Sequence, residues 1–322
     1  MTGPPETAGV RPALVTRAEV DAAAAVLDGV AVRTAVEPLD AVPGLLLKRE
    51  DTQPVGAFKL RGAFHAASRL DPEVRAAGLV THSSGNHGRA LAWAAARLGV
   101  PATVVVPDDA VVAKVEAMAA LGARLVRVPA DDRERAADAV VAESGGALVP
   151  PYDHPHVIAG QGTVGAEIAA QVPDVDRVLV PVGGGGLISG IAAALAGTGI
   201  AVVGVEPELA ADAAESKRTG ALVRWDRARV SRTAADGLRA ARLGALTWPH
   251  VERLVDDVVT VTEASIEQAA RVLHGAGVPA EASGCVATAG ALEHPALVRG
   301  RTVAVVSGRN ADPGWVARVL AG

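Results

Sequence analysis

The sequence predicts a doubly wound α/β protein in which a smaller βαβ unit is inserted within a larger one. Three observations predict it. From Gly78 onward, short apolar runs of strand length alternate with amphipathic helical stretches, the pattern of βαβ units and a parallel sheet. Pro150-Pro151 breaks that alternation, which marks 72–150 as the small unit and leaves 1–71 with 151–322 as a discontinuous larger one. Loops rich in glycine, serine and asparagine fall at the ends of predicted strands, at 83–88, 183–186 and 307–310. In open α/β sheets that is where ligands bind.

Residues 1–12 carry three prolines and two glycines and read as a loose tail. Thr16-Arg17-Ala18-Glu19 has the spacing of a capping box, and the alanine-rich run to Leu27 continues that helix. A strand over 45–47 delivers a Pro/Gly-marked loop, and the apolar-periodic run 60–70 follows as a helix. Next come a strand at 79–81, a helix through Leu98, a strand at 102–106, a helix over 111–121, a strand at 125–128 and a helix over 133–143. Beyond the prolines the pattern gives a helix over 163–171, a strand at 178–182, a glycine run, a helix over 187–195 and a strand at 201–205. The polar stretch 212–241 supports no assignment. Helices over 264–274 and 285–292, a strand at 302–306 and a helix over 316–320 close the chain, and Trp93, Trp225, Trp248 and Trp315 are assigned to packing.

Composition narrows the function classes. A chain of 322 residues, half of them hydrophobic, can bury a large core. A net charge of −5 without a basic cluster argues against nucleic acid as a partner. The single cysteine, Cys285, excludes an intramolecular disulfide and a Cys-rich metal site. No leader pattern and no apolar run of membrane-spanning length occur, so a cytoplasmic protein with no membrane partner is expected.

Lys59 is the residue around which chemistry can be argued. It lies where a Pro/Gly loop meets a helix start, so the positive end of the helix dipole and Arg61 two residues on should disfavour its ammonium form. An amine with a lowered pKa can attack a carbonyl; a solvated surface lysine is the plain alternative. Gly183-Gly184-Gly185-Gly186 follows a strand and opens a helix, so its amides can converge on an anion, with a tight packed turn as the alternative. It matches neither a dinucleotide fingerprint nor a nucleotide-binding P-loop. A phosphate and a carbonyl on one ligand, meeting a lysine, point to pyridoxal phosphate.

Residues 48–63, Thr81-His82-Ser83-Ser84-Gly85-Asn86-His87-Gly88, Ala159-Gly160-Gln161-Gly162-Thr163, 181–186 and Ser307-Gly308-Arg309-Asn310 together resemble the motif set of the serine/threonine dehydratase and serine racemase family. These are pyridoxal-phosphate enzymes of fold type II, and the motifs appear in the family's order. The resemblance implies that Lys59 holds the cofactor as a Schiff base and later moves the substrate's α-proton, and that Phe58 flanks the ring. It implies that Asn86 hydrogen-bonds the ring's phenolic oxygen, that Gly183, Gly184, Gly185 and Gly186 hold the phosphate, and that Ser307 faces the pyridine nitrogen. Ser83, Ser84 and His87 fall at the substrate, with Ser83 and His87 assigned to the carboxylate and the loop's shape. Two readings of Ser84 stand side by side. It is either a second base on the face opposite Lys59 or a hydroxyl that only bonds the loop or the substrate carboxylate.

Glu206, the carbonyl of Ala210 and Asp212 resemble the family's divalent-cation site, and their oxygen donors suit Mg²⁺ or Ca²⁺; a solvated acidic turn is the alternative. Several residues depart from the family pattern. Ala57 stands where serine is usual, Arg309 where glycine is usual, and Cys285 in a small-residue place within Glu281-Ala282-Ser283-Gly284-Cys285. A surface orientation is expected for Arg309 and a buried, inert thiol for Cys285. Tyr152-Asp153 occupies a place that is often Phe-Asp.

The expected activity is a pyridoxal-phosphate-dependent β-elimination, in which a small β-hydroxy amino acid such as L-serine or L-threonine gives a 2-oxo acid and ammonia. The first alternative is an amino-acid racemase using Lys59 and Ser84 from opposite faces, and bifunctionality is included in it. A β-replacement synthase is opposed by the 83–88 loop, and a non-catalytic ligand-binding protein is a further rival. The family expectation for assembly is a homodimer.

Overall fold

The computed structural model describes residues 12–322; apart from Pro12, the expected loose tail at 1–12 lies outside the described residues. Among the described residues ten strands run in chain order: β1 (Val36–Pro38), β2 (Leu45–Arg49), β3 (Leu79–Thr81), β4 (Ala102–Pro107), β5 (Arg124–Val128), β6 (Ala147–Leu148), β7 (Arg177–Pro181), β8 (Ala201–Pro207), β9 (Asp257–Val261) and β10 (Thr302–Val306). They form two sheets. One has the order β1-β2-β10-β7-β8-β9, the other β5-β4-β3-β6. Every pairing is parallel except that of β1 with β2. The smaller sheet takes consecutive strands, while β2 of the larger one pairs with β10 at the far end of the chain. Burial follows from the pairing. β10, central in its sheet, is Thr-Val-Ala-Val-Val and buried at all five positions, as a strand covered on both faces must be.

Most predicted elements fall where the apolar periodicity places them. Thr16 and Glu19 form the reciprocal capping box at the start of the helix Arg17–Leu27. Strands β3 and β10 have the predicted bounds. The helix expected over 163–171 instead begins eight residues earlier, as Pro155–Gln171. Its Gly160 and Gly162 weaken a helical reading of the sequence. In the fold they are contact points: a Cβ on Gly160 would lie 2.8 Å from the Arg61 carbonyl oxygen, and one on Gly162 would lie 2.7 Å from that of Gly190. Three helices thereby approach backbone to backbone: Lys59–Ser68, Pro155–Gln171 and Gly186–Leu195.

The unassigned stretch 212–241 holds the helix Asp212–Thr219, a short helix Arg227–Val230 and a 3₁₀ turn Asp236–Leu238. The helix Thr247–Leu254 and the strands β1, β6 and β9 are also additions to the sequence reading. β6 is only two residues long, and β1 and β9 lie at sheet edges. Among the described residues no helix is long and apolar enough to cross a membrane. Trp315 is buried, whereas Trp225 is half-buried, donates to Glu215 at 2.6 Å and lies 3.2 Å beneath the Arg229 guanidinium.

Candidate active site

Each predicted loop leaves the carboxyl end of a parallel strand. β2 leads through a 3₁₀ turn to Lys59, β3 to the Ser83–Ser84 loop, β7 to the glycine run and β10 to Ser307. Lys59 opens the helix Lys59–Ser68, and the Gly56 turn before it has φ of +75°. The strand ends are tied together at this point: Phe58 N–H donates to the Ser307 carbonyl at 3.1 Å, and Ala57 bridges Gly308.

Lys59 is half-buried and its Nζ donates to the Pro151 carbonyl oxygen at 2.8 Å. Desolvation by the surrounding protein lowers its pKa to about 8. Arg61 is not the cause, contrary to the expectation. It points into a buried cluster, where Glu50 receives Nη2 and Nε at 2.8 Å each and Glu167 receives Nη1 at 2.7 Å. Lys48 completes that cluster on Glu167 at 2.5 Å. Two carboxylates thus neutralise the guanidinium before its charge reaches Lys59.

The Gly183, Gly184, Gly185 and Gly186 loop opens the helix Gly186–Leu195, and none of its four amides donates to an acceptor among the described residues. Free amides at a helix start suit an anion. Gly185 has φ of +88°, and Gly184 lies under Tyr152, whose Cδ1 would be 2.3 Å from a Cβ there. A Cβ on Gly184 would collide with Tyr152 and one on Gly185 with Leu243 and Thr247, so neither position admits a side chain. Ser307 is buried with its hydroxyl 3.5 Å from the Ser283 carbonyl, and Phe58 lies 5.1 Å from the Lys59 ammonium, centroid to nitrogen. These residues fit pyridoxal phosphate: a lysine of lowered pKa, an unpaired amide nest and a buried hydroxyl, all at strand ends.

On the 83–88 loop, Ser83 Oγ accepts the Gly85 N–H at 3.4 Å, and Ser84 is half-buried with no hydrogen-bond partner among the described residues. Asn86 donates to Glu281 Oε1 at 2.5 Å and accepts from Asn310 at 2.7 Å. His87 is buried, and its Nε2 lies 2.9 Å from the Val149 carbonyl, which can only accept. Nε2 therefore carries the hydrogen. Burial, and after it the Lys59 charge, pushes the His87 pKa down to about 3, so Nδ1 is bare and offers a carboxylate no donor. Of the two roles expected for His87, shaping the loop is the one its bonds perform.

Glu281 is the residue that sequence reasoning passed over as a mere motif letter. It is buried beside Asn86 and Gly308, and burial followed by the Asp236 charge raises its pKa to about 7. A charged residue inside a Gly/Ser/Ala run was the available signal. Two expectations about departures hold: Arg309 is exposed, and burial pushes the Cys285 thiol pKa upward.

Glu206 and Asp212 are buried close together. Glu206 accepts the Ala213 and Ala214 amides at 3.2 and 2.8 Å, whereas both Asp212 carboxylate oxygens are buried without a hydrogen-bond partner among the described residues. Burial, compounded for Glu206 by the neighbouring Asp212, pushes both carboxyls up, Asp212 to about 7. An orphaned carboxylate beside another, with the buried Ala210 between them in sequence, fits a hard divalent cation. Among the described residues no cluster of three His, Cys, Asp or Glu side chains forms a metal site, and a cation here would need a carbonyl ligand as well.

A family model described as pyridoxal-phosphate dependent enzyme matches residues 30–308. The chain belongs to that family. It is 40% identical to the L-threo-3-hydroxyaspartate ammonia-lyase of Saccharomyces cerevisiae, over 86% of each chain. It is 41% identical to the serine racemase of Arabidopsis thaliana, over 86% of this chain and 87% of the relative. Among solved structures, the maize serine racemase superposes with a TM-score of 0.89 at 37% identity, covering 96% of this chain and 98% of the other. A threonine deaminase structure superposes with a TM-score of 0.86 at 39% identity, covering 92% of this chain and 99% of the other. The α/β fold with its two sheets is therefore that of the fold-type II pyridoxal-phosphate enzymes, and the cofactor of this family member is pyridoxal phosphate.

Proposed function

We propose that the protein eliminates the β-hydroxyl of a small β-hydroxy amino acid of the L-serine or L-threonine type, giving a 2-oxo acid and ammonia. The observation that carries the reading is Lys59, an amine brought near neutrality by desolvation at the strand ends that present the glycine nest and Ser307. When bound, pyridoxal phosphate holds the substrate nitrogen and draws electron density from the α-carbon. Lys59 Nζ takes the α-proton as the neutral amine. The 183–186 amides would anchor the phosphate, Asn86 would meet the ring oxygen, and Phe58 and Ser307 would meet the ring face and its nitrogen. A neutral serine hydroxyl at that nitrogen would leave the ring a modest electron sink, which would favour prompt loss of the β-hydroxyl. The β-hydroxyl leaves as water with one proton, matching the α-proton that Lys59 takes, and that water is returned when the enamine product is hydrolysed to the 2-oxo acid and ammonia.

The ammonia-lyases and racemases among the relatives support this reaction class. Screening β-hydroxy amino acids of both configurations for 2-oxo acid release, with and without Mg²⁺, tests it. No release from any of them with cofactor-loaded protein would refute the reading. Ser84, half-buried and unpartnered on the Asn86 loop, favours a second reading, racemisation, in which its hydroxyl serves the α-carbon face opposite Lys59. Assaying D-serine formation from L-serine separates the two. Ser83 would hold the substrate carboxylate. Glu206, Ala210 and Asp212 would hold Mg²⁺ or Ca²⁺, in a structural role away from the bonds that break. We extend the proposal to a cytoplasmic homodimer, on the resemblance to the family, and to a small domain 72–150 inserted in a larger one, supported by the separation of the strands into two sheets.

A further inference from the structure

A directed chain of hydrogen bonds crosses the candidate site. Arg89 Nη1 donates to Asn310 Oδ1 at 2.6 Å; Asn310 Nδ2 donates to Asn86 Oδ1 at 2.7 Å and to the Val55 carbonyl at 2.9 Å; Asn86 Nδ2 donates to Glu281 Oε1 at 2.5 Å. A guanidinium can only donate, so Asn310 must face it with its oxygen. Asn310 then spends both amide hydrogens, and Asn86 must meet it with its own oxygen. The nitrogen of Asn86 is left facing Glu281. Both amide orientations, ordinarily ambiguous, follow from this polarity.

We propose that Glu281 is a positioning residue for the cofactor: its carboxylate ends this chain and fixes the Asn86 amide, so that the second Nδ2 hydrogen stays available to the cofactor's ring oxygen. The inference rests on the reading of Asn86 as a cofactor contact. Asn86 Oδ1 is committed to Asn310, so the amide offers a ligand a donor and no acceptor, which selects for an oxygen carrying negative charge. Glu281 is itself held in place. Its N–H donates to the Gly308 carbonyl at 3.0 Å, and a Cβ on Gly308 would lie 2.5 Å from its Oε1, so a side chain there would displace the carboxylate. The charged groups near it are Asp236 and Lys114, which are paired with each other.

The test compares Asn86→Ala, Glu281→Ala, Glu281→Gln and the double alanine variant. Cofactor is stripped and re-added to each, and its dissociation constant is read from the visible band at about 410–420 nm. Each single alanine variant should weaken cofactor binding about tenfold, the loss expected for one hydrogen bond to a charged group. The double variant should be no weaker than either single one, because both act through the same contact. Glu281→Gln keeps an acceptor oxygen and should restore affinity to within about threefold, whereas Glu281→Met, of similar volume but without an acceptor, should stay as weak as Glu281→Ala; a role in packing alone would rescue both. Should Glu281→Ala fail to fold, as judged by apoprotein melting, Glu281→Met preserves volume without an acceptor and takes its place. Wild-type affinity in Glu281→Ala alongside weakened Asn86→Ala, or additive losses in the double variant, overturns the inference alone. Wild-type affinity in Asn86→Ala overturns it together with the assignment of Asn86.

Discussion

Lys59 Nζ and the Pro151 carbonyl oxygen lie 2.8 Å apart although 92 positions separate them in the chain. Lys59 begins the helix that follows β2, and Pro151 lies where the chain returns from β6 of the smaller sheet. One hydrogen bond therefore ties the amine to the connection between the sheets.

A pKa of about 8 sets how fast the apoprotein captures its cofactor. Attack on the aldehyde needs the neutral amine, which is the minor form below that pH. The capture rate should rise about tenfold between pH 6 and 7 and level off above about 8, since each unit below the pKa costs a factor of ten in neutral amine. Stopped-flow growth of the visible band checks this. A flat rate from pH 6 to 8 would show that the amine does not titrate there. Lys59→Ala should show no covalent band at any pH.

The backbone contact beneath the glycine nest makes a stability prediction. A Cβ on Gly190 would lie 2.3 Å from the Ile158 carbonyl oxygen and 2.4 Å from the Gly162 nitrogen, both rigid backbone atoms. Gly190→Ala should cost about 1–3 kcal/mol as the helices are forced apart. Gly197→Ala has open space, but its φ of +77° makes it a probe of backbone strain without a clash. Thermal melts of the two variants separate crowding from strain.

Ser84 separates the two activities. Ser84→Ala should abolish racemisation of L-serine while leaving 2-oxo acid release within about threefold, because only reprotonation from the far face needs that hydroxyl. Loss of both activities in parallel would make Ser84 a substrate-binding group. Chiral chromatography of the amino acid with coupled detection of the 2-oxo acid reads both from one sample.

Asp212 carries two buried, unpartnered oxygens, so a divalent cation should stabilise the protein measurably. At a concentration about 100 times its dissociation constant, Mg²⁺ or Ca²⁺ should add about 2.7 kcal/mol. Asp212→Asn should abolish the response while raising the metal-free melting temperature, because it removes an uncompensated buried carboxylate. Identical melting with EDTA and with millimolar Ca²⁺ would mean that the pair holds no cation.

Most strands, and each loop that meets at the site, were legible because period-2 apolar runs and glycine, serine and asparagine clusters are local signals. The start of the helix at Pro155 was not legible. Its Gly160 and Gly162 lower helix propensity, and only the neighbouring helices at Gly62 and Gly190 explain them. β9 escaped for a different reason. Asp257-Val258-Val259-Thr260-Val261 has strand composition, but an edge position is decided by the β8 neighbour it finds.

By itself the sequence determined that a lysine, a tetraglycine turn, an asparagine loop and a serine would each stand at a strand end, since strand periodicity and turn chemistry act over a few residues. Only the tertiary structure decided what each side chain answers to. Arg61 is two residues from Lys59 in sequence yet is neutralised by Glu50 and Glu167, and His87 spends its one hydrogen on Val149. Electrostatic and hydrogen-bond partners are chosen by distance in space. For a chain whose second strand pairs with its last, that distance is set by the fold.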